Sequence, residues 1–167
     1  ERQGGGAAMI KTPELAQEVI RATQEGGGGL PVSVKTRVGF NKIELETWIP
    51  KLLEAKVAAI TIHARTRKEM SKIPARWGHV AEVVVMAKAL QQSRGQGART
   101  LIIGNGDVKD LNDAKVKARE TGADGIMLGR AIFGNPFLFR NKNALSEAEG
   151  QYTPTTEEKL RVMVEHT

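Results

Sequence analysis

The chain has 167 residues, 40% hydrophobic and 26% charged, with a net charge of +6, which suffices for one globular domain with a core of its own and a surface that attracts polyanions. No apolar run approaches the roughly 20 residues of a membrane span, and the opening ERQGGGAAMI is too glycine-rich for a secretion signal. With no cysteine, disulfides, thiolate metal sites and a cysteine nucleophile are excluded within these residues, and no metal site is expected.

In chain order, Thr12-Pro13-Glu14 marks a helix start, with Thr12 as cap and Pro13 in the first turn. Leu15, Ala16, Val19 and Ile20 form one face of that helix, and Gly26 to Gly29 end it. Residues 30–34 read as a short strand. Leu45, Trp48, Ile49, Leu52 and Leu53 follow the spacing of a buried helical face, which Pro50 should kink or delay. Residues 57–63 read as the next strand. Val80, Val83, Val84, Ala87 and Leu90 mark a further helix, and 93–98 a polar loop. Residues 100–103 read as a strand, 110–121 as a helix capped by Asp110 and stopped by Gly122, and 125–128 as the last strand. A short helix or turn then runs to Phe139, followed by a linker at 141–153 and a new helix.

Apolar strands alternating with helices imply an α/β fold, a parallel sheet covered by helices. Four such units suit an open doubly wound sheet or half of a (β/α)8 barrel. Each strand ends in polar residues. Lys35, Thr36 and Arg37 follow the first, and His63, Arg65 and Arg67 the second. Gly104, Asn105, Gly106 and Asp107 follow the third, and Gly129 and Arg130 the fourth. Taken singly, each has a plain reading: a solvated lysine, a packed histidine, an Asn-Gly turn. In parallel α/β folds, however, the C-terminal strand ends form one rim, and ligands bind there. If the last two strands are barrel strands seven and eight, Gly106, Gly129 and the amide of Arg130 are placed to cradle a phosphate. Lys35 and His63 would then face a ring system. A planar, phosphate-bearing cofactor fits that layout, with flavin mononucleotide (FMN) the natural candidate.

The stretches LPVSVKTRVGF, ITIHARTRKEM, IPARW, LIIGNGDV and GADGIMLGRAIFGNPFLF, in this order and at barrel spacing, closely resemble the tRNA-dihydrouridine synthases. The resemblance runs from about Gly4 to the C-terminus. It implies a (β/α)8 TIM barrel that binds FMN, present here as strands five to eight in residues 1–140. Residues 154–167 would open the helical domain that grips tRNA. The implied activity is NADPH-driven reduction of tRNA uridine to dihydrouridine. It places Lys35 and His63 with the flavin, and Asn105, Gly106, Asp107, Gly129 and Arg130 along the cofactor's ribityl chain and phosphate. Arg37, Arg65 and Arg67 are candidates for holding the uracil or tRNA phosphates. The family's catalytic acid is a Cys in a Gly-Cys-Pro motif, expected just upstream of Glu1, so no catalytic residue is expected within the chain. Residue 64, usually glycine in the family, is alanine, which would narrow the approach to His63.

The chain opens at Glu1 rather than methionine and stops inside a helical pattern. A piece of a longer, cytoplasmic, monomeric protein is therefore expected, inactive alone and prone to self-association at its open sheet edges. The competing expectations are another FMN barrel oxidoreductase, such as a dihydroorotate or dihydropyrimidine dehydrogenase, and a non-catalytic phosphate- or RNA-binding chain.

Overall fold

The computed structural model describes residues 4–93, 99–140, 152 and 154–166. The linker expected at 141–153, apart from residue 152, and nearly all of the loop at 93–98 lie outside the described residues.

A 3-10 helix at Gly6–Lys11 leads into α1 (Pro13–Gly26). Then come β1 (Ser33–Arg37), α2 (Leu45–Glu54), β2 (Ala59–His63), α3 (Gly78–Ser93), β3 (Leu101–Asn105), α4 (Leu111–Thr121) and β4 (Gly125–Met127). A 3-10 turn at Arg130–Ile132 follows β4, and α5 spans Thr156–His166. The four strands form one parallel sheet in the order β1-β2-β3-β4, the arrangement of consecutive (β/α)8 barrel units.

Parallel pairing fixes which side chains share a face, since alternate residues point to opposite sides. Val34, Ile60 and Ile102 are level, as are Thr36, Ile62, Gly104 and Ile126. This set faces the helices. From it, Ile60, Ile62 and Ile102 share one core with Trp48, Ile49 and Leu52 of α2 and Val80, Val83, Val84 and Ala87 of α3, and Val34 packs against that core. The other face carries two polar-bearing levels, Lys35–Thr61–Ile103–Gly125 and Arg37–His63–Asn105–Met127. The second lies at the C-terminal ends of the strands.

The helices form where periodicity and caps place them. All five apolar residues of the α2 face are buried, and the helix runs on through Pro50. Pro50 therefore neither ends α2 nor delays its start. The Asp110 side chain accepts from the N–H of Asp113 at 2.8 Å, and Gly122 stops α4 at φ 68°.

Several expectations change. β1 begins at Ser33, three residues later than expected, because Gly28 and Gly29 continue the turn at positive φ. Thr12 occupies the cap of α1, but its hydroxyl makes no capping bond. Leu15 and Val19 are 44% and 42% exposed, while Ala16, Gln17 and Ile20 are buried. α1 rests on α2 on one side, so only half of its apolar stripe is covered. Val19, Ile20, Val32, Val34 and Leu52 instead line a groove of about 510 Å³ beside β1. α5 buries no residue; Leu160, Met163 and Val164 are exposed.

Candidate active site

Register brings Arg37, His63 and Asn105 to one level. From two residues below, Lys35 extends its ammonium up to Asn105 and donates to Oδ1 at 2.9 Å. The other end of that amide is also committed: Asn105 Nδ2 donates to the Met127 carbonyl on β4 at 2.8 Å. Asn105 therefore ties together the first, third and fourth strands.

Beyond β3 the chain turns sharply, with Gly106 at φ 128° and Asp107 at φ 51°. This turn aims the Asp107 carboxylate back across the rim. Oδ2 accepts from the Ala75 N–H at 2.8 Å and from the Arg65 guanidinium, and Oδ1 accepts from Arg130 at 2.9 Å. One carboxylate thus joins the loops after β2, β3 and β4. Burial pushes this carboxyl up, but the Ala75 amide, Arg65 and Arg130 outweigh burial and hold it below its ordinary value.

Arg65 is 3% exposed. Its guanidinium donates to the Ile73 carbonyl and to Asp107, and lies 3.3 Å from His63 Nε2. Arg37 donates to the carbonyls of Thr66 and Met70 at 2.9 and 3.3 Å, bracing the loop after β2. Arg67 lies 5.4 Å over the Phe40 ring, on whose other neighbour, Lys11, the ammonium stands 3.8 Å from the centroid. These three arginines were one class in the sequence; in the structure one is an internal strut, one a loop brace and one part of a cation–aromatic cluster.

The cations act on one another. Burial first, then Arg37, lowers the Lys35 ammonium below its ordinary value. Burial, followed by Arg37, Lys35 and Arg65, pushes His63 down to about 4, with Asp107 opposing, so its ring is neutral at pH 7. His63, Arg65, Ser71, Asn105, Gly106, Asp107, Gly129 and Arg130 line a cavity of about 190 Å³. Lys35, Arg37 and His63 share the rim end of the groove beside β1. His63 borders both spaces.

The glycines differ. A Cβ on Gly129 would meet nothing within 4 Å. At Gly106 it would meet the Ala75 methyl at 2.8 Å and His63 Cδ2 at 3.2 Å, so that close approach serves the chain's own loop. Ala75, Trp77 and Met127 escaped the sequence reading. Trp77 donates from Nε1 to the Gly106 carbonyl at 3.0 Å and packs over Gly104. The only sequence trace of that role is IPARW, which brings Ala75 and Trp77 close together.

A family model described as Dihydrouridine synthase (Dus) matches residues 1–167. The chain belongs to the dihydrouridine synthase family. It is 42% identical over 142 residues to a protein of Staphylococcus aureus strain Mu50 named "Probable tRNA-dihydrouridine synthase", covering 84% of this chain and 41% of that one. The Staphylococcus epidermidis protein of the same name from strain ATCC 12228 matches with the same identity and coverage. "Probable tRNA-dihydrouridine synthase 2" of Bacillus subtilis strain 168 is 39% identical over 140 residues, 83% of this chain and 41% of that one. The chain thus spans about two fifths of the length of the curated relatives it matches.

In this dihydrouridine synthase chain, Ala64 does not narrow the approach to His63. It is fully buried in the core, lines neither cavity, and pairs through its backbone with Asn105 and Arg76. Among the described residues no group of three or more His, Asp or Glu side chains is arranged to hold a metal, and no helix is long and apolar enough to cross a membrane.

Proposed function

We propose that the protein acts as part of a tRNA-dihydrouridine synthase, reducing uridine in tRNA to 5,6-dihydrouridine with FMN and NADPH. The observation that carries this reading is the Lys35 ammonium. It is fixed on the neutral amide of Asn105, beside a neutral His63, and no ion pair joins it to a carboxylate among the described residues. Three more cations, Arg37, Arg65 and Arg130, stand near the carboxylate of Asp107 on the rim. That surplus suits a phosphate-bearing, electron-rich ring. The open space at Gly129 suits close approach of a ligand to the backbone. The residues therefore fit FMN.

When bound, FMN supplies the hydride that reduces the uracil ring, and NADPH renews it. Lys35 places a positive charge beside the electron-rich part of the ring system. Asn105 holds that ammonium in position, and His63 would face the ring system. Gly129 and Arg130, with Asn105, Gly106 and Asp107, form the ribityl and phosphate end. Arg37, at the end of β1, and Arg67, on the loop after β2, would face an incoming tRNA, whose target base must leave its stack to react. Arg65 acts from inside the chain. The acid that protonates the uracil is assigned to a Cys outside residues 1–167, since the chain has none, and residues 1–167 alone are expected to be inactive. Residues 1–140 would be the barrel part and 154–167 the opening of a helical tRNA-binding unit. α5 has an exposed Leu160, Met163 and Val164, apolar groups suited to packing within such a unit. A cytoplasmic, monomeric full-length protein is the companion proposal.

The test is Lys35→Ala in the full-length protein. Slower flavin reduction by NADPH and slower tRNA turnover are expected. Unchanged values for both remove Lys35 from the mechanism. Reoxidation of the reduced wild-type protein by free pyrimidines, and not by tRNA, would instead favour a dihydropyrimidine dehydrogenase.

A further inference from the structure

The contact between Arg65 and His63 decides which nitrogen of the imidazole carries the proton. A guanidinium has five N–H donors and no acceptor. Arg65 Nη1 lies 3.3 Å from His63 Nε2, so Nε2 must present its lone pair. On a neutral ring the proton then resides on Nδ1. The ring is also held in orientation. Its Cδ2–Nε2 edge faces the turn at Gly106, where an added Cβ would stand 3.2 and 3.6 Å from those two atoms. Nδ1 lies across the ring from that edge, and His63 lines the groove shared with Lys35 and Arg37.

Arg65 is itself fixed by the Ile73 carbonyl and by Asp107, which is anchored in turn by the Ala75 N–H and Arg130. The charged groups acting on His63 are Arg37 and Lys35 from β1, Arg65 from the loop after β2 and Asp107 from the turn after β3. Burial first, then three cations against one anion, keeps the ring neutral, which the donor geometry requires.

We infer that Arg65 is a positioning residue that locks His63 as the Nδ1–H tautomer, so that His63 donates a hydrogen bond into the space beside Lys35. A ligand atom meeting His63 there must be an acceptor: a ring carbonyl, an unprotonated ring nitrogen or a phosphate oxygen. The tautomer follows from the chain's own contacts; only the identity of that acceptor rests on the flavin reading.

The experiment is long-range 1H–15N correlation NMR on 15N-labelled full-length protein without cofactor. The chain has three histidines, His63, His79 and His166; the His63 signals are those lost in His63→Gln. The expected pattern is a protonated Nδ1 and a bare Nε2, unchanged from pH 8 to about pH 5. A proton on Nε2, or a doubly protonated ring at pH 7, overturns the inference, and either can occur with or without a flavin site. Arg65→Met tests the cause: the ring should revert to Nε2–H, the form favoured by free imidazole side chains. Because Arg65 is buried, Asp107→Asn serves as a second variant. It leaves Arg65 in place without its charged anchor and should give a mixture of tautomers. A ring that stays wholly Nδ1–H in whichever variant folds overturns the role of Arg65.

Discussion

The ammonium of Lys35 on β1 reaches over β2 and donates to the side-chain oxygen of Asn105 on β3 at 2.9 Å. The two residues are 70 apart in sequence, and only the parallel register brings them together. Because Asn105 also donates to Met127, the two bonds link the rim from β1 through β3 to β4. A double-mutant cycle of Lys35→Met and Asn105→Leu should show a coupling energy of about 1 kcal/mol, the scale of a solvent-accessible hydrogen bond. Urea denaturation of the four proteins measures it. Strict additivity would mean that the two side chains do not support each other in solution.

Acid should weaken the fold before the carboxylates titrate. His63 has its ordinary 6.5 lowered to about 4, by burial first and then by Arg37, Lys35 and Arg65. Between those values the unfolded chain binds the proton and the folded chain does not, so stability rises with pH across that window and falls as pH drops through it. Asp107 and Glu69 are held below their ordinary values, so their contribution is lost only at lower pH. Discounted for solvent at the half-buried ring, the loss should be about 1 kcal/mol. Denaturant midpoints measured from pH 7 to 4.5 should show it in the wild type and not in His63→Gln. Equal slopes in the two proteins would exclude His63 as its source.

The two arms of Asp107 should contribute unequally. Arg65 is buried, whereas Arg130 is 66% exposed, and both pair with the same carboxylate. Removing one partner of a buried pair leaves an uncompensated charge, while an exposed pair contributes little. With Asp107 itself one-third exposed, Asp107→Asn should cost about 2 kcal/mol, and Arg130→Met less than about 1 kcal/mol. Arg130→Met should nevertheless reduce flavin retention on gel filtration, because the guanidinium lies beside the proposed phosphate position. Full retention would move the phosphate elsewhere.

How much of this was legible beforehand follows from the range of the interactions. The buried face of α2 and the cap and stop of α4 arise within a few residues, and each is visible in the sequence as spacing or as one residue type. Strand ends are also local, so the rim residues Lys35, His63, Asn105 and Arg130 could be collected without coordinates. What covers a face is not local: Leu15 and Val19 have the same periodicity as Ala16 and Ile20, yet they stay exposed while the other two are buried. The partners of Arg65 are equally hidden. Asp107 is 42 residues away and the Ile73 carbonyl belongs to a loop backbone, so an arginine in an Arg-Thr-Arg run reads as a surface cation. In the fold it is among the least exposed polar side chains.

Gly104 shows the same limit and gives a sharp test. In the sequence it is the first glycine of a turn motif; in the fold it belongs to β3 and faces Trp77. A Cβ there would overlap Trp77 Cζ3, stand 3.0 Å from Cη2 and press Val80 Cγ1 at 3.3 Å. The indole cannot swing aside freely, because its N–H is bonded to the Gly106 carbonyl at 3.0 Å. Gly104→Ala should therefore cost about 1–3 kcal/mol, the range for overpacking a core, and should displace the turn that carries His63's neighbour Gly106. Gly125 on β4 provides the contrast. A methyl there meets only Ile103 Cγ1, at an ordinary 3.7 Å, so Gly125→Ala should change stability by less than about 0.5 kcal/mol. Thermal denaturation of both variants, with Trp77 fluorescence read in a Trp48→Phe background, decides the matter: equal effects would mean that β3 does not need its glycine for Trp77.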